Sequence, residues 1–263
     1  MSGKVVVVTG GTRGIGRGLV EAFLDRGCSV AFCGRSPASV DATVAELQGR
    51  SVVGVVADVT DEAGMTKLWD AATATFGRVD VWVNNAGISA PRAPFHELPV
   101  SQARAVLETN LLGSMTGSSV ALRGFFDQGR GQLWNMEGFG SGGQKMAGMA
   151  TYGASKRAVT YFTKALLKDT KGTAVQVGLL SPGIVVTDLL VGDYEGNPQQ
   201  LAKAKKVFNI LGDRVETVTP WLADRVLATD RTGAHVQWLT KLKALGRFAS
   251  APIRKRDLFG TPA

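Results

Sequence analysis

Tyr152 and Lys156 are a pair of residues whose types and spacing could do proton chemistry. They lie four residues apart in the segment TYGASK, ahead of an apolar helical pattern that extends to Leu166. Four residues make about one helical turn, so a helix would place the Lys156 ammonium beside the Tyr152 phenol. A cation there favours the phenolate and would lower the tyrosine pKa from its usual value of about 10. The spacing therefore predicts that Tyr152 is a general acid and that Lys156 tunes it.

The opening of the chain, VVVVTGGTRGIG, predicts a phosphate-binding turn. Lys4 to Val8 is an apolar, β-branched run, typical of a strand covered on both faces. Gly10, Gly14 and Gly16 follow, and apolar residues then recur at helical spacing. A strand, a glycine turn and a helix present free N–H groups and the positive end of a helix dipole to a pyrophosphate. A lone tyrosine and lysine at this spacing would suggest an ordinary helix face, and the glycine turn argues against that interpretation.

Further apolar runs of strand length alternate with helical stretches, which predicts a doubly wound α/β sheet. With 263 residues, 44% of them hydrophobic, the chain can bury a sizeable core. No linker, repeat or low-complexity segment divides it, so we expect a single domain over residues 1–263. The strand-like runs are Val30 to Cys33, Ser51 to Ala57, Val79 to Val83, Gln132 to Met136, Ala174 to Leu180 and Ala234 to Leu239.

Two arginines indicate which dinucleotide the turn would bind. A site that prefers NAD carries an Asp or Glu about 20 residues after the glycines, where it binds the ribose 2′-hydroxyl. This chain has Arg35 and Ser36 at that place, so no carboxylate would repel a 2′-phosphate. Arg35 can pair with such a phosphate, and Arg13 in the glycine turn could flank it. The sequence therefore predicts NADPH as the cofactor.

Taken together, the motifs resemble those of the short-chain dehydrogenase/reductase family. They are TGGTRGIG, Asp58, the NNAG of residues 84–87, Asn110, YGASK and Pro182-Gly183, and they follow the family's order over nearly the whole chain. The resemblance implies a Rossmann-type sheet of about seven parallel strands. It also implies an NAD(P)-dependent oxidoreductase that acts on an aldehyde or ketone and the matching alcohol, in a homodimer or homotetramer.

The resemblance also implies roles for single residues. Asp58 would hold the adenine, Asn110 would anchor a proton-relay water, and Lys156 would hold the nicotinamide ribose. The stretch of residues 84–87 would line the cofactor floor, and Thr187 with the Pro-Gly pair would meet the nicotinamide carboxamide. The cofactor-binding residues expected on both grounds are Gly10, Thr12, Arg13, Gly14, Ile15, Gly16, Arg35, Ser36, Asp58, Val59, Asn84, Asn85, Ala86, Gly87, Lys156, Pro182, Gly183 and Thr187.

One catalytic position departs from the family pattern. Where the family usually carries a serine pair after the fifth strand, this chain has Glu137 and Gly138. The nearest serine is Ser141, which lies 152 − 141 = 11 residues before Tyr152. The glycines around Ser141 would let the loop fold back so that its hydroxyl reaches the substrate oxygen, or would form a wide pocket floor without a serine. We expect the first, so the predicted catalytic set is Tyr152, Lys156, Asn110 and Ser141.

The same departure suggests a narrower kinship. LWNMEGFGSGG, LSPGIVVTDLL, KVFNIL and WLTKLKALGRF resemble the chlorophyll b reductase branch of the family. This implies that NADPH reduces the 7-formyl group of chlorophyll b or chlorophyllide b to 7-hydroxymethyl, and that the substrate is large and apolar. A segment of about 188–211 has the length of the family's substrate lid. The alternatives are a reductase of another carbonyl compound (3-oxoacyl thioester, steroid, sugar or small ketone) and a non-catalytic NADPH-binding regulator.

The net charge of +8 is concentrated in part in a basic C-terminal segment, about residues 241–263. One interpretation is a solvated helix and tail packed on the domain or on a sister subunit. The other is a weak peripheral contact with an anionic membrane or an acidic amphiphile. No recognition motif accompanies the charge, so we expect no nucleic-acid partner. The basic residues are Lys241, Lys243, Arg247, Arg254, Lys255 and Arg256.

Cysteine and histidine are too sparse for a metal centre. Cys28 and Cys33 match neither a redox motif nor a metal-ligand spacing, so we expect buried thiols. His96 and His235 are the two histidines, and we expect His96 at the surface or the pocket rim and no bound metal. No apolar run approaches the roughly 20 residues that span a membrane, and the chain enters its first strand within a few residues. These features predict a soluble, cytoplasmic protein.

Overall fold

The computed structural model describes residues 3–260, which alternate between strands and helices along the chain. In order, the elements are β1 (Val5–Thr9), α1 (Gly14–Leu24), β2 (Ser29–Gly34), α2 (Pro37–Glu46), β3 (Val52–Val56), α3 (Glu62–Phe76), β4 (Val81–Asn84), α4 (Val100–Leu107), α5 (Gly113–Gln128), β5 (Gly131–Met136), α6 (Ala150–Asp169), β6 (Val175–Ser181), β7 (Val185–Val186), α7 (Asp188–Gly192), α8 (Pro198–Leu211), β8 (Asp213–Arg214), α9 (Val215–Ala228), β9 (His235–Gln237) and α10 (Lys241–Ser250). A short 3₁₀ turn, Phe95–Glu97, precedes α4, and a π-helical turn, Glu108–Leu112, joins α4 to α5.

Seven strands form one parallel sheet in the order β3-β2-β1-β4-β5-β6-β9. The predicted doubly wound α/β fold, a Rossmann-type sheet, is therefore confirmed, and each strand begins and ends within two residues of its predicted bounds. The chain winds outward from β1 to β3 in one direction and from β4 to β9 in the other. A crevice consequently opens at the carboxyl ends of β1 and β4, which is where open α/β sheets bind ligands.

Helices cover both faces of this sheet, which explains why its strands are continuous apolar runs. Helices α1 and α9 pack on one face through buried residues such as Phe23 and Leu222. Helices α3, α5 and α6 cover the other face through residues such as Leu68, Phe125 and Leu166. The central strand β1 is buried along its whole length. This rigid sheet positions the loops that follow each strand.

The segment after β6 carries the predicted lid. Helices α7 and α8 fall within residues 188–211, and the short parallel pair β7 and β8 closes the base of the segment. Helix α10 and the tail after it are tied to β8, because the buried Asp213 carboxylate accepts hydrogen bonds from Arg247, Arg256 and Trp238 Nε1. Residues 261–263 of the predicted basic segment lie outside the described residues. Within 3–260, no helix has both the length and the apolar character needed to cross a membrane.

Candidate functional site

A cavity of about 760 Å³ opens at the carboxyl ends of the sheet strands. The glycine turn after β1 forms one end of it, and the lid residues of α7 and α8 cover the other. Tyr152 and Lys156 of α6 line the middle of the wall. Of the residues predicted from the sequence, those that line the cavity are Gly10, Thr12, Arg13, Gly14, Ile15, Gly16, Arg35, Val59, Asn85, Ala86, Gly87, Tyr152, Lys156, Pro182, Gly183 and Thr187.

The glycine turn has the geometry of a phosphate cradle. Gly10 and Gly14 have φ of +67° and +54°, a conformation that favours glycine. A Cβ built on Gly16 would lie 2.0 Å from the Gly10 carbonyl oxygen, so no side chain fits there. Helix α1 begins at Gly14 with neither a side-chain cap nor an acidic residue in its first turn. The N–H groups and the dipole of this helix end are therefore free for an anion.

Arg13 and Arg35 stand at the outer end of the cradle. Both are exposed, and both line the cavity. Within residues 3–260, neither guanidinium has a hydrogen bond or an ion pair with a protein group. Together with the glycine cradle, these two free cations fit a dinucleotide that carries an additional ribose phosphate.

Three predicted cofactor residues do not line the cavity, because their side chains are engaged elsewhere. Ser36 Oγ accepts from the Ser39 N–H and caps α2. Asp58 Oδ1 accepts from the backbone and the hydroxyl of Thr60. Asn84 lies in a buried network with Trp82, Ser114, Ser118 and Asn135. These residues shape the walls behind the cavity, and the structure does not bring their side chains to its surface.

Tyr152 and Lys156 share one helix, as predicted, but their pKa values do not follow the expected tuning. Burial raises the pKa of Tyr152, and the negative charge of Asp193 adds to that effect. Burial also lowers the pKa of Lys156 to about 8, while the charge of Glu137 opposes that change. Lys156 Nζ donates to the Met136 carbonyl oxygen at 3.1 Å. The expected lowering of the tyrosine pKa is not seen in this state, because removal from water and the Asp193 charge both raise it.

Gly138 lies directly against the Tyr152 phenol. A Cβ built on Gly138 would be 2.5 Å from Tyr152 Oη and 3.1 Å from Lys156 Cγ. This is the position where the family usually carries its serine, and the neighbouring phenol leaves no space for a side chain there. The backbone of Gly138 does not have a positive φ, so its conformation does not require glycine. The reason for a glycine here is the closeness of the Tyr152 phenol.

Ser141 lies behind the cavity wall, which differs from the expectation that it would reach the substrate oxygen. Its side chain is buried and is not part of the lining. Ser141 Oγ accepts from the Gly138 N–H at 3.1 Å and donates to the Lys156 carbonyl oxygen at 3.3 Å. The Ser141 N–H also donates to the Gly138 carbonyl oxygen, so the turn closes on itself and directs the hydroxyl inward. This geometry gives Ser141 the task of holding the loop that carries Gly138.

Asn110 lies in the π-helical turn and is fully buried. Its Oδ1 accepts from the Ile88 N–H at 2.8 Å. Its Nδ2 donates to the Ile88 carbonyl oxygen and to Ser155 Oγ. Asn110 therefore joins the loop after β4 to helix α6 from outside the cavity lining, and its role in a water relay stays a prediction.

Glu137 and His235 form a pair to which the sequence analysis gave no role. Glu137 Oε2 lies 2.7 Å from His235 Nε2, and Thr160 Oγ1 donates to Glu137 Oε1 at 3.1 Å. Burial alone would raise the pKa of Glu137, but the hydrogen bond and charge of His235 outweigh burial and lower it. The same hydrogen bond raises the pKa of His235. Glu137 also lines the cavity, so a negative charge lies near Lys156.

Arg92 and Asp193 are two further lining residues that the sequence analysis did not select. The Arg92 guanidinium lies 4.3 Å from the centre of the Tyr194 ring, and its Nε is 4.0 Å from Asp193 Oδ2. The sequence signal for Arg92 was a cation close to apolar residues in the loop PRAPFHELP, which also contains His96. His96 lies at the surface, as expected, with a side chain that is 81% exposed.

Both cysteines are buried and free, which confirms the expectation of buried thiols. Cys33 lines the cavity, and burial raises its pKa to about 12, so its thiol is unreactive at neutral pH. Among residues 3–260, no group of three or more His, Cys, Asp or Glu side chains lies close enough together to hold a metal ion.

Comparison with known proteins agrees with this arrangement. A family model described as short chain dehydrogenase matches residues 4–197. A probable chloroplastic chlorophyll(ide) b reductase of Oryza sativa subsp. japonica is 31% identical over 274 residues, and the match covers 97% of this chain but 53% of the relative. The chain thus spans about half the length of that relative. The L-fucose dehydrogenase of Mus musculus is 42% identical over 189 residues, which cover 72% of this chain and 67% of the relative.

Among solved structures, the closed form of serine dehydrogenase complexed with NADP⁺ covers 98% of each chain with a TM-score of 0.80 at 24% identity, which shows the shared fold. The family match spans the glycine cradle as well as Tyr152 and Lys156. The chain therefore belongs to the short chain dehydrogenase family.

Proposed function

We propose that this protein is an NADPH-dependent carbonyl reductase that converts the 7-formyl group of chlorophyll(ide) b to 7-hydroxymethyl. The choice of NADPH rests on Arg13 and Arg35 beside the glycine cradle, whose guanidinium groups have no partner among residues 3–260. A ribose 2′-phosphate would give both cations an acceptor, and NADH would leave both without one.

The chain's own groups suffice for the proton half of a carbonyl reduction. Bound NADPH supplies the hydride that the carbonyl carbon accepts. Tyr152 is a half-buried, protonated phenol that lines the cavity, and it donates its proton to the carbonyl oxygen as negative charge develops there. Lys156, which is held by the Met136 carbonyl oxygen, faces the same space and stabilises the phenolate that remains. The absence of a side chain at Gly138 leaves room for the phenol at this place.

The lining of the substrate half supports a large, apolar carbonyl compound. Apolar and aromatic side chains dominate this part of the cavity, and methionines adapt well to flat faces. The dinucleotide would take the other half of a cavity of about 760 Å³, so a macrocycle with its formyl group at Tyr152 would fill the substrate half and extend to its rim. The apolar residues are Phe139, Met146, Met149, Leu189, Leu190, Tyr194, Val207, Phe208 and Leu211.

The relatives support the same choice over a sugar substrate. The match to the rice chlorophyll(ide) b reductase covers 97% of this chain, whereas the match to the mouse L-fucose dehydrogenase covers 72%. The lining also carries Arg92, Asp193 and Gln200, whose side chains can hydrogen-bond to sugar hydroxyl groups. L-fucose therefore serves as the competing substrate in the test.

The test is a direct turnover assay with matched controls. Purified protein is incubated with NADPH and chlorophyllide b, and the 7-hydroxymethyl product is followed by absorbance and mass. Tyr152→Phe, assayed in parallel, reports any reduction that does not depend on the site. Product that requires NADPH and Tyr152 supports the proposal. Efficient oxidation of L-fucose, or reduction of a small ketone, with no pigment product would reject the pigment assignment and leave only the wider reductase class.

The cellular setting belongs to the same proposal. A cytoplasmic location stays a prediction, because the rice relative is a chloroplastic protein. Fractionation of the native cells, with the protein followed by immunoblot, tests it. Recovery in a membrane fraction at low salt, and release at high salt, would favour the peripheral contact inferred from the basic segment.

A further inference from the structure

Arg92 is a largely buried cation with unused hydrogen-bond donors in the substrate half of the cavity. Its side chain is 14% exposed, and its Nε is buried without a hydrogen-bond partner among residues 3–260. The nearest carboxylate oxygen, Asp193 Oδ2, is 4.0 Å from that nitrogen, which is beyond hydrogen-bond length. Its Nη1 contacts the Met146 sulfur at 2.9 Å, and a thioether is a weak acceptor.

The surrounding residues hold the Arg92 guanidinium in place but do not supply acceptors for all of its N–H groups. The Tyr194 ring stacks on one face, and the Arg92 backbone N–H donates to the Asp193 carbonyl oxygen at 3.3 Å. Asp193 and Tyr194 belong to the lid, so the cation is fixed where the lid meets the loop after β4. A buried cation whose donors lack acceptors is costly, and a ligand that carries a planar anion would remove that cost.

We infer that Arg92 forms a carboxylate-binding subsite and that the substrate is a carbonyl compound bearing a carboxylate. The inference rests on the proposed function, which supplies the reacting carbonyl. It adds a second group of the substrate, a carboxylate that Arg92 binds. In the pigment series it selects chlorophyllide b, which is a free acid, over its phytyl ester chlorophyll b. The carboxylate would pair with the open edge of the guanidinium, between Tyr194 and Met146, while the carbonyl lies at Tyr152.

Asp193 sets the strength of this subsite. Its carboxylate competes with a substrate carboxylate for the same cation. Burial raises the pKa of Asp193, whereas a hydrogen bond from Ser89 and the charge of Arg92 oppose that change. Removal of the Asp193 charge should therefore increase the preference for an acid over its ester, whereas its effect on the Tyr152 pKa acts on both substrates alike.

The experiment compares two substrates that differ only in this charge. Wild type, Arg92→Gln, Arg92→Lys and Asp193→Asn are assayed with NADPH on chlorophyllide b and on its methyl ester. We expect Arg92→Gln to lower kcat/KM for the acid by about 10-fold or more, and for the ester by less than about 2-fold. Arg92→Lys should retain part of the preference for the acid, and Asp193→Asn should increase it.

A matched control separates a specific subsite from general attraction. Lys203 is another cation of the lid that lines the cavity, and Lys203→Gln removes the same charge from it. We expect that variant to keep the preference for the acid. An equal loss in Lys203→Gln and Arg92→Gln would overturn the inference, as would equal losses for acid and ester in Arg92→Gln, because a structural arginine affects both substrates alike.

A second pair of substrates makes the test independent of the pigment. 9-Oxononanoic acid and its methyl ester are compared in the same variants, because their flexible chain can adapt to the distance between Tyr152 and Arg92. Preference for the acid that depends on Arg92 here, without pigment turnover, keeps the subsite and rejects the proposed function. Pigment turnover with no difference between acid and ester rejects the subsite and keeps the proposed function. If neither aldehyde reacts, calorimetry of the NADP⁺ complex with the two corresponding alcohols decides, and equal affinities overturn the inference.

Discussion

Burial decides the charge states of the side chains that face the reacting carbonyl. It raises the pKa of Tyr152 and lowers that of Lys156 to about 8. Tyr152 therefore remains a protonated phenol through the physiological range and is ready to donate. Lys156 titrates near working pH, so the charge beside the phenol is itself adjustable.

Replacement of Tyr152 by phenylalanine tests whether the phenolic hydroxyl is the proton donor. Tyr152→Phe keeps the ring and removes the acidic proton, so we expect turnover to fall by roughly 10² to 10⁴. Cofactor affinity, measured by fluorescence titration, should stay close to that of wild type. Near-normal turnover in this variant would remove Tyr152 from the mechanism.

Arg35 carries the expected preference for the phosphorylated cofactor. Loss of a charge-assisted contact with the 2′-phosphate should weaken NADPH binding by about 1.5 to 3 kcal/mol in Arg35→Ala. NADH has no such phosphate, so its affinity should not change. Isothermal titration of both cofactors checks this, with the exposed Arg130→Ala as the control. Equal affinities for NADPH and NADH in wild type would contradict the prediction.

Ser141 gives a prediction that the structure reversed. Because its hydroxyl joins the Gly138 N–H to the Lys156 carbonyl oxygen, Ser141→Ala should lower the free energy of unfolding by about 1 to 3 kcal/mol. Turnover per folded molecule should change less than the roughly 10² expected for loss of a donor to the substrate oxygen. Urea unfolding and kinetics on the same preparation separate the two. A 10²-fold loss of turnover at unchanged stability would instead indicate that the Ser141 hydroxyl donates to the substrate oxygen.

Whole elements were easier to predict from the sequence than the contacts between them. Strand β1 and its glycine turn were predictable, because a strand buried on both faces is a continuous apolar run and a phosphate cradle needs glycines at fixed positions. The direction of the Ser141 side chain depends on a turn that closes by contacts to helix α6. The environment of Arg92 depends on lid residues about a hundred positions away, which no local pattern encodes.

The hydrogen bond between Glu137, which follows β5, and His235 of β9 should make the free energy of unfolding depend on pH. His235 has a raised pKa in the folded protein, so its contribution is complete below its ordinary pKa and is lost as pH rises through the folded value. Glu137 has a lowered pKa, so its contribution is lost as pH falls through its own folded value. The pair therefore stabilises the folded protein most at pH values between the folded pKa of Glu137 and that of His235.

Urea unfolding between about pH 5 and 9, in wild type and His235→Asn, measures that contribution. After allowance for solvent around the half-exposed imidazole, we expect the pH-dependent part of the difference to be about 0.5 to 1 kcal/mol, with the sign that wild type loses its advantage at high pH. A difference that stays constant across this range would show that the pair is not ionised.

At the scale of the whole molecule, exposed apolar side chains lie along the α4 to α5 region and on α10. Leu112 and Met115 at the start of α5 and Leu242 and Leu245 on α10 are all exposed. Arg247 and Arg256 are bound to Asp213, so these two cations of the basic segment are not free to meet an anionic surface. This favours the interpretation that α10 and the tail pack on the domain.

The resemblance to the family implies a homodimer or homotetramer, and we expect the α4 to α5 region to form the contact. Leu112→Glu combined with Met115→Glu would place charge in an apolar interface and should yield monomers by light scattering after gel filtration. Leu242→Glu on α10 is the control and should leave the mass unchanged. A wild-type mass equal to that of one chain would contradict the prediction.

The hydrogen bonds of Asp213 also set an order of events during synthesis. Asp213 leaves the ribosome well before the groups that bind it, since Trp238 follows 25 residues later, Arg247 34 residues later and Arg256 43 residues later. Domains form from their N-terminal side while translation continues at about 5 to 20 residues per second. The cofactor cradle, built from the first strands, is therefore synthesised early, whereas the last of the two arginines that pair with Asp213 of β8 is added only when translation reaches residue 256. In the nascent chain, the half that would hold the dinucleotide can mature before the half that would hold the substrate.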